Sequence, residues 1–309
     1  MSIDRWTTEF SRVVVPYGLR RQDPGSMTES LAARVRGLRK CYGNNPAVDG
    51  IDFDIVPGEI FALLGPNGAG KTTTVEILEG YRRRDEGEVS VLGVDPQQAP
   101  RSWRYGIGIV LQDVADLSEL TVGETVRHFA RYYPDAGDPD QVIDSVGLSE
   151  KTRARVRTLS GGQRRRLDVA VGVIGNPKLL FLDEPTTGFD PRARRQFWSL
   201  IRSLAAEHGT TVLLTTHYLD EAEALANRVA VVAAGKIVAE GDPATLGGRA
   251  GAEVTVSWDD DGVRRTEHTS DPGPLVADLT SRHGGTLPGL TVTRQSLEDV
   301  YLALTGSDR

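Results

Sequence analysis

The octapeptide Gly65-Pro-Asn-Gly-Ala-Gly-Lys-Thr72 has the residue types needed to hold phosphate groups. Glycines at 65, 68 and 70 let backbone N–H groups turn inward around phosphate oxygens, and a following helix adds the positive end of its dipole. Lys71 is long enough to reach the β- and γ-phosphates of a nucleotide, and the Thr72 hydroxyl suits Mg²⁺. A second segment, Leu179-Leu-Phe-Leu-Asp-Glu-Pro185, brings two carboxylates to the end of an apolar strand. Asp183 suits a Mg²⁺ that keeps part of its water, and Glu184 suits the polarisation of an attacking water. Each segment alone also reads as an ordinary turn, Gly-rich in one case and acidic in the other. Placed in one sheet, they predict a nucleotide phosphate site.

The elements that must position these residues are legible as apolar runs. Strands are expected at 60–64, 106–111, 179–182, 211–215 and 229–233, several apolar on consecutive positions as in strands buried on both faces. A helical pattern follows the glycine-rich loop at 73–79. Strands alternating with longer helical patterns over residues 32–240 predict an α/β fold with a mostly parallel sheet. The phosphate loop, Gln112, Asp183-Glu184 and His217 then all fall at carboxyl ends of strands, the edge where ligands bind. Residues 113–177 read differently, as a mostly helical insertion. Thr121-Val-Gly-Glu124 is a capping box, and a second helix is expected over 140–146. After Gly241 the alternation of Val254, Val256 and Trp258 predicts an exposed strand. Leu297, Val300, Tyr301 and Leu304 form the stripe of a short amphipathic helix. This is a smaller second module, and residues 1–31 read as a flexible tail in which Met27 is either an alternative start or an internal residue.

With 39% hydrophobic and 26% charged residues, the composition is that of a globular protein, and the net charge of -7 disfavours a nucleic-acid binder. No apolar run reaches the roughly 20 residues that span a bilayer. Cys41 is the single cysteine, which excludes an internal disulfide and fits a reducing cytoplasm. The arginine triplets Arg82–Arg84 and Arg164–Arg166 read as a solvated face or an intersubunit charge contact.

Leu159-Ser-Gly-Gly-Gln163 leads into a helical pattern, and Ser160 and Gln163 by themselves make a capping box. Two glycines in the first turn are costly for a helix and suit close approach of a ligand to the backbone. Placed between the phosphate loop and the Asp-Glu strand, this pentapeptide resembles the signature of ATP-binding cassette (ABC) proteins. Other marks of that family occur in order. Tyr42 matches the aromatic that stacks on adenine, and Gln112 the glutamine that senses Mg²⁺ and the membrane partner. Asp190 resembles the loop residue that contacts the opposite subunit, though Asp190-Pro191 is also a good helix start. His217 matches the histidine at the γ-phosphate. Phe189 departs from the leucine usual in that loop, which bears on packing at the subunit contact.

The resemblance implies a P-loop NTPase core over residues 32–246, mostly parallel with an antiparallel β portion, a helical subdomain at about 113–177, and a small α+β module at 247–309. It implies ATP and Mg²⁺ as ligands. Lys71, Glu184 and His217 are expected to be catalytic, and Thr72, Gln112 and Asp183 to serve the metal. Nucleotide contacts are expected from Tyr42, Gly65, Asn67, Gly68, Ala69, Gly70, Thr73, Ser160, Gly161, Gly162, Gln163 and Asp190. It further implies a homodimer (or pseudo-dimer) sharing two ATP sites, and a separate transmembrane permease that would hold the chain at the inner face of the membrane. Residues 296–306 resemble the ends of a branch that powers bacterial exporters of drugs, antibiotics or cell-surface polymers, daunorubicin-resistance-type ATPases among them. A soluble cassette acting on ribosomes or in DNA repair is the competing reading. Tandem cassettes or a long coiled coil would mark it, and this sequence has neither.

Overall fold

The computed structural model describes residues 31–110, 117–248, 254–260, 262–293 and 296–305. Strand β1 (Ala33–Tyr42) reverses through Gly43, at φ 59°, into β2 (Asn45–Ile55). After β3 (Ile60–Leu64), helix α1 (Lys71–Leu78) leads to β4 (Glu86–Val91), which pairs antiparallel with β1. The three-stranded antiparallel sheet β2-β1-β4 lies outside the alternating strand–helix pattern.

The chain continues with β5 (Ile107–Val110), α2 (Val122–Ala130), α3 (Pro139–Ser145), α4 (Gly161–Val173) and β6 (Leu179–Asp183). Then come α5 (Pro191–His208), β7 (Thr211–Thr216), α6 (Leu219–Leu225), β8 (Arg228–Ala233) and β9 (Lys236–Gly241). The central sheet runs β5-β6-β7-β3-β8-β9, parallel throughout except for β9. All five strands expected from the apolar runs are there, with ends shifted by a residue; Leu111 lies outside the described residues.

Side-chain alternation along the central strands feeds two cores. Leu180 and Leu182 of β6, with Val212 and Leu214 of β7, face the helices α2 to α6. Leu179, Phe181 and Leu213 face the antiparallel sheet and α1. Strands buried on both faces therefore carry continuous apolar sequence, and truncating Phe181 to Ala would cost about 3–5 kcal/mol.

The last strands, β10 (Val254–Asp260), β11 (Val263–Thr269) and β12 (Thr291–Thr293), form a separate antiparallel sheet, with α7 (Pro272–Arg282) before β12. The expectation of an exposed strand here is corrected: Val254, Val256 and Trp258 are buried. Leu275, Val276 and Leu279 of α7 cover Val256 and Trp258. Helix α8 (Leu297–Thr305) returns to the main core, burying Leu297 and packing Tyr301 against it.

One buried acid makes stability depend on pH. Glu79, at the end of α1, has its carboxyl pushed up to about 8, chiefly by burial, with the charges of Asp183 and Glu76 adding to it. Between the ordinary carboxylate range and about pH 8 the native state keeps a proton that the unfolded chain has released. Stability is therefore full at low pH and falls as pH rises through this window. Glu79→Gln removes that slope. Urea unfolding at pH 5 and pH 9 is expected to show a smaller loss for the variant than for the wild type, by on the order of 1–3 kcal/mol. Equal losses would contradict it.

Candidate functional site

The loop after β3 owes its course to backbone crowding. A Cβ on Gly65 would stand 2.2 Å from the Val232 carbonyl, and one on Gly70 the same distance from the Ala47 carbonyl. Gly70 also has φ 102°, and Gly68 has φ 80° with open space around it. Gly70 caps α1 without a side-chain bond. The first-turn N–H groups, which no intrahelical carbonyl reaches, are left for an anion. A cavity of about 370 Å³ opens over this turn, lined by Ala47, Asn67, Gly68, Gly70, Lys71, Thr72, Thr73 and Glu184.

Lys71 is buried, with its amine 2.8 Å from the Gly65 carbonyl, 3.1 Å from that of Pro66 and 3.4 Å from Glu184 Oε1. Burial lowers its pKa, against the opposing pull of Glu184 and Asp183. Parallel pairing sets Asp183 beside Thr215. The Asp183 carboxylate accepts from Thr215 Oγ1 and, at 3.1 Å, from Thr72 Oγ1, so oxygen ligands from β6 and α1 converge. Glu184 sits at φ 42°, a left-handed conformation that strains a non-glycine residue, and its N–H is held by Thr215 Oγ1 at 3.0 Å. The His217 imidazole lies with Nδ1 3.4 Å from Glu184 Oε1. Lys71, Thr72, Asp183, Glu184 and His217 are thus one cluster at the carboxyl edge of β3, β6 and β7.

Other expected residues stand apart from it. Ser160 caps α4, with its hydroxyl taking the Gln163 N–H at 3.3 Å and Gln163 Oε1 taking the Ser160 N–H at 3.0 Å. A Cβ on Gly161 would meet nothing within 4 Å, and one on Gly162 only Ala193 at 3.8 Å. Asp190 caps α5 through the N–H groups of Arg192 and Ala193. None of these residues lines the cavity over Lys71. Tyr42 is exposed at the end of β1. Gln112 lies outside the described residues.

The arginine triplets need a correction. Arg165 is buried, donating from Nε to the Pro185 carbonyl and from Nη2 to that of Asp183, both at 3.1 Å. It anchors the backbone that presents Asp183 and Glu184. Arg84 is paired twice with Asp95, and Arg166 bonds the Val146 carbonyl. The sequence reading also passed over Thr215, which holds both Asp183 and Glu184. Glu221 escaped it too. That residue is fully buried on α6 and bonded to Thr186 at 2.8 Å and Trp198 at 3.1 Å, so it ties α5 and α6 to the turn after β6. The two threonines that follow the apolar run Val212 to Leu214 in β7 were the available signal.

A strand–glycine loop–helix cradle beside an Asp-Glu strand end defines an α/β protein that binds the phosphates of a nucleotide. Comparison with known proteins gives the family. A family model described as ABC transporter matches residues 48–187. The Nod factor export ATP-binding protein I of Cupriavidus metallidurans is 38% identical over 89% of this chain and 97% of its own length. The daunorubicin/doxorubicin resistance ATP-binding protein DrrA of Streptomyces peucetius is 36% identical, covering 89% and 92%. Among solved structures, cbiO1 of Clostridium perfringens, part of the ABC transporter complex cbiONQ, superposes with a TM-score of 0.63 at 28% identity, covering 70% of this chain and 90% of that one. The chain belongs to the ABC transporter family, as an ATP-binding subunit that hydrolyses ATP.

Proposed function

We propose that the chain energises an exporter of a drug, antibiotic or similar small molecule, closing on ATP as a homodimer and moving a separate transmembrane subunit. The observation that carries the dimer is the state of Gly161 and Gly162. Their own chain leaves room for side chains there, and they lie outside the cavity over Lys71. Glycines in a first helical turn, where a Cβ would meet nothing at Gly161 and only ordinary contact with Ala193 at Gly162, fit a surface that a phosphate of another subunit's nucleotide approaches.

In this reading the N–H groups of the 65–73 turn and the Lys71 amine bind the β- and γ-phosphates. Glu184 takes a proton from the attacking water, and His217 donates to the γ-phosphate. Thr72 and Asp183, 3.1 Å apart, fit Mg²⁺, which takes few carboxylates and prefers phosphate and water for its remaining ligands. Mg²⁺ there would neutralise charge between the phosphates. Tyr42 stacks on the base, Asp190 meets the partner chain, and Gln112 carries the state of the site to the membrane subunit. No helix among the described residues is long and apolar enough to cross a membrane, so that subunit would hold the chain at the inner membrane face. The export reading is supported by what the relatives are called.

Co-expression with a candidate membrane subunit, such as any membrane protein encoded beside it, followed by purification through a tag on this chain, tests the reading. Joint recovery in detergent, with ATPase activity raised over that of the lone chain, is expected. Exclusive recovery with ribosomes or DNA would overturn it.

A further inference from the structure

α1 begins at the phosphate cradle, and the chain that leaves its other end reaches the aromatic ring of Tyr42. The helix closes in a Schellman turn, with Tyr81 N–H on the Glu76 carbonyl at 2.9 Å and Gly80 N–H on that of Ile77 at 3.1 Å. Gly80 takes φ 74°, and a Cβ there would crowd the Pro96 carbonyl at 3.0 Å. This turn folds Arg82 back along the helix. Its N–H donates to the Glu76 carbonyl at 2.9 Å, and its Nε donates to the Glu76 carboxylate at 2.5 Å. So held, the guanidinium lies 5.3 Å from the centroid of the Tyr42 ring, within cation–π reach.

Three residues further on, Asp85 grips the backbone beside that ring. It accepts from the Cys41 N–H at 2.7 Å and from Lys40 Nζ at 2.6 Å, while its own N–H donates to the Arg39 carbonyl at 3.0 Å. The 80–85 segment therefore holds both the ring of Tyr42 and the strand end that carries it. The ring is 43% exposed at the tip of a hairpin, and besides Arg82 it has Lys40 Nζ 5.8 Å from its centroid. Ordering it on binding would weaken the complex by about two- to tenfold.

We propose that Arg82, fixed by Glu76, is a positioning residue for nucleotide binding: it orients Tyr42 before the base arrives, at a distance from Lys71 set by α1. The inference rests on the reading of Tyr42 as the base platform. A surface ion pair that merely stabilises the end of α1 would affect every ligand alike; a residue acting through the ring affects only ligands that carry a base.

Calorimetric binding of ATP and of inorganic tripolyphosphate to the full chain separates these. Arg82→Ala is expected to weaken ATP by about three- to tenfold and tripolyphosphate by less than about twofold. Arg82→Lys keeps a cation and recovers most of the loss. On a Tyr42→Ala background, Arg82→Ala adds nothing. If Tyr42→Ala weakens ATP selectively while Arg82→Ala does not, or if Arg82→Ala weakens both ligands equally, the positioning role is overturned. If Tyr42→Ala itself spares ATP, the platform reading has failed first, and the inference falls with it.

Discussion

Glu184→Gln is expected to lower ATP hydrolysis by about 10²–10⁴-fold, the range for loss of a general base, while ATP still binds. The amide keeps the shape of the carboxylate, so the contacts around the strained position at φ 42° survive. What disappears is the ability to take a proton, together with a negative charge 3.4 Å from both Lys71 Nζ and His217 Nδ1. Less negative charge beside the γ-phosphate also favours the bound nucleotide. Single-turnover hydrolysis and light scattering in ATP check both halves: the variant is expected to accumulate as an ATP-bound dimer. Near-wild-type turnover would remove Glu184 from the role of base.

Lys71→Ala is expected to act on binding first. Its amine is the cation buried at the cradle, and charge-assisted bonds of this kind contribute about 1.5–3 kcal/mol each, or roughly 10–100-fold in ATP affinity. Hydrolysis falls to background with it. Removing the lysine leaves Glu184 without its partner at 3.4 Å, a loss of stability that is offset in part because burial already disfavours the lysine charge. A chain that is still folded by circular dichroism, with ATP affinity lost, is the expected pair of results. Lys71→Arg is not expected to rescue, since a planar fork does not replace a point charge in this turn. Retained ATP affinity in Lys71→Ala would contradict the assignment.

These residues were readable because residue type and strand context coincide: β3 and β6 are apolar on consecutive positions, and the chemistry begins at the residue where each apolar run stops. Arg165 was unreadable for the opposite reason. A run of three arginines carries the pattern of a solvated face, and only the turn after β6, folding over α4, takes the middle one inside. The antiparallel sheet was expected through the resemblance, but a bulge obscured its strand pattern in β1. In β1 the inward positions run Ala33, Val35, then Leu38, and the register shift between Val35 and Leu38 breaks the period of two. In β10 the alternation was visible, but which side faced a core depended on α7, which begins fifteen residues beyond the strand's midpoint. Ser160–Gln163 is a further case. Its motif is plain in sequence, yet nothing in its own chain explains the two glycines, because on the present account their partner is a second copy.

That claim has a direct test. Gly161→Asp puts an acid in the first turn of α4, where the chain has open space and the helix dipole favours it, so the fold is kept while an approaching phosphate is repelled. Lys71→Ala disables the cradle. Each variant alone is expected to be inactive. When the two purified chains are mixed at dimerising concentrations, a head-to-tail dimer of unlike chains has one site with both lesions and one with neither. ATPase activity should therefore reappear, towards about a quarter of the wild-type rate, if the sites act independently. A mixture no more active than the sum of its parents, or a Gly161→Asp chain that hydrolyses ATP normally, would show that the site is not completed by a second chain.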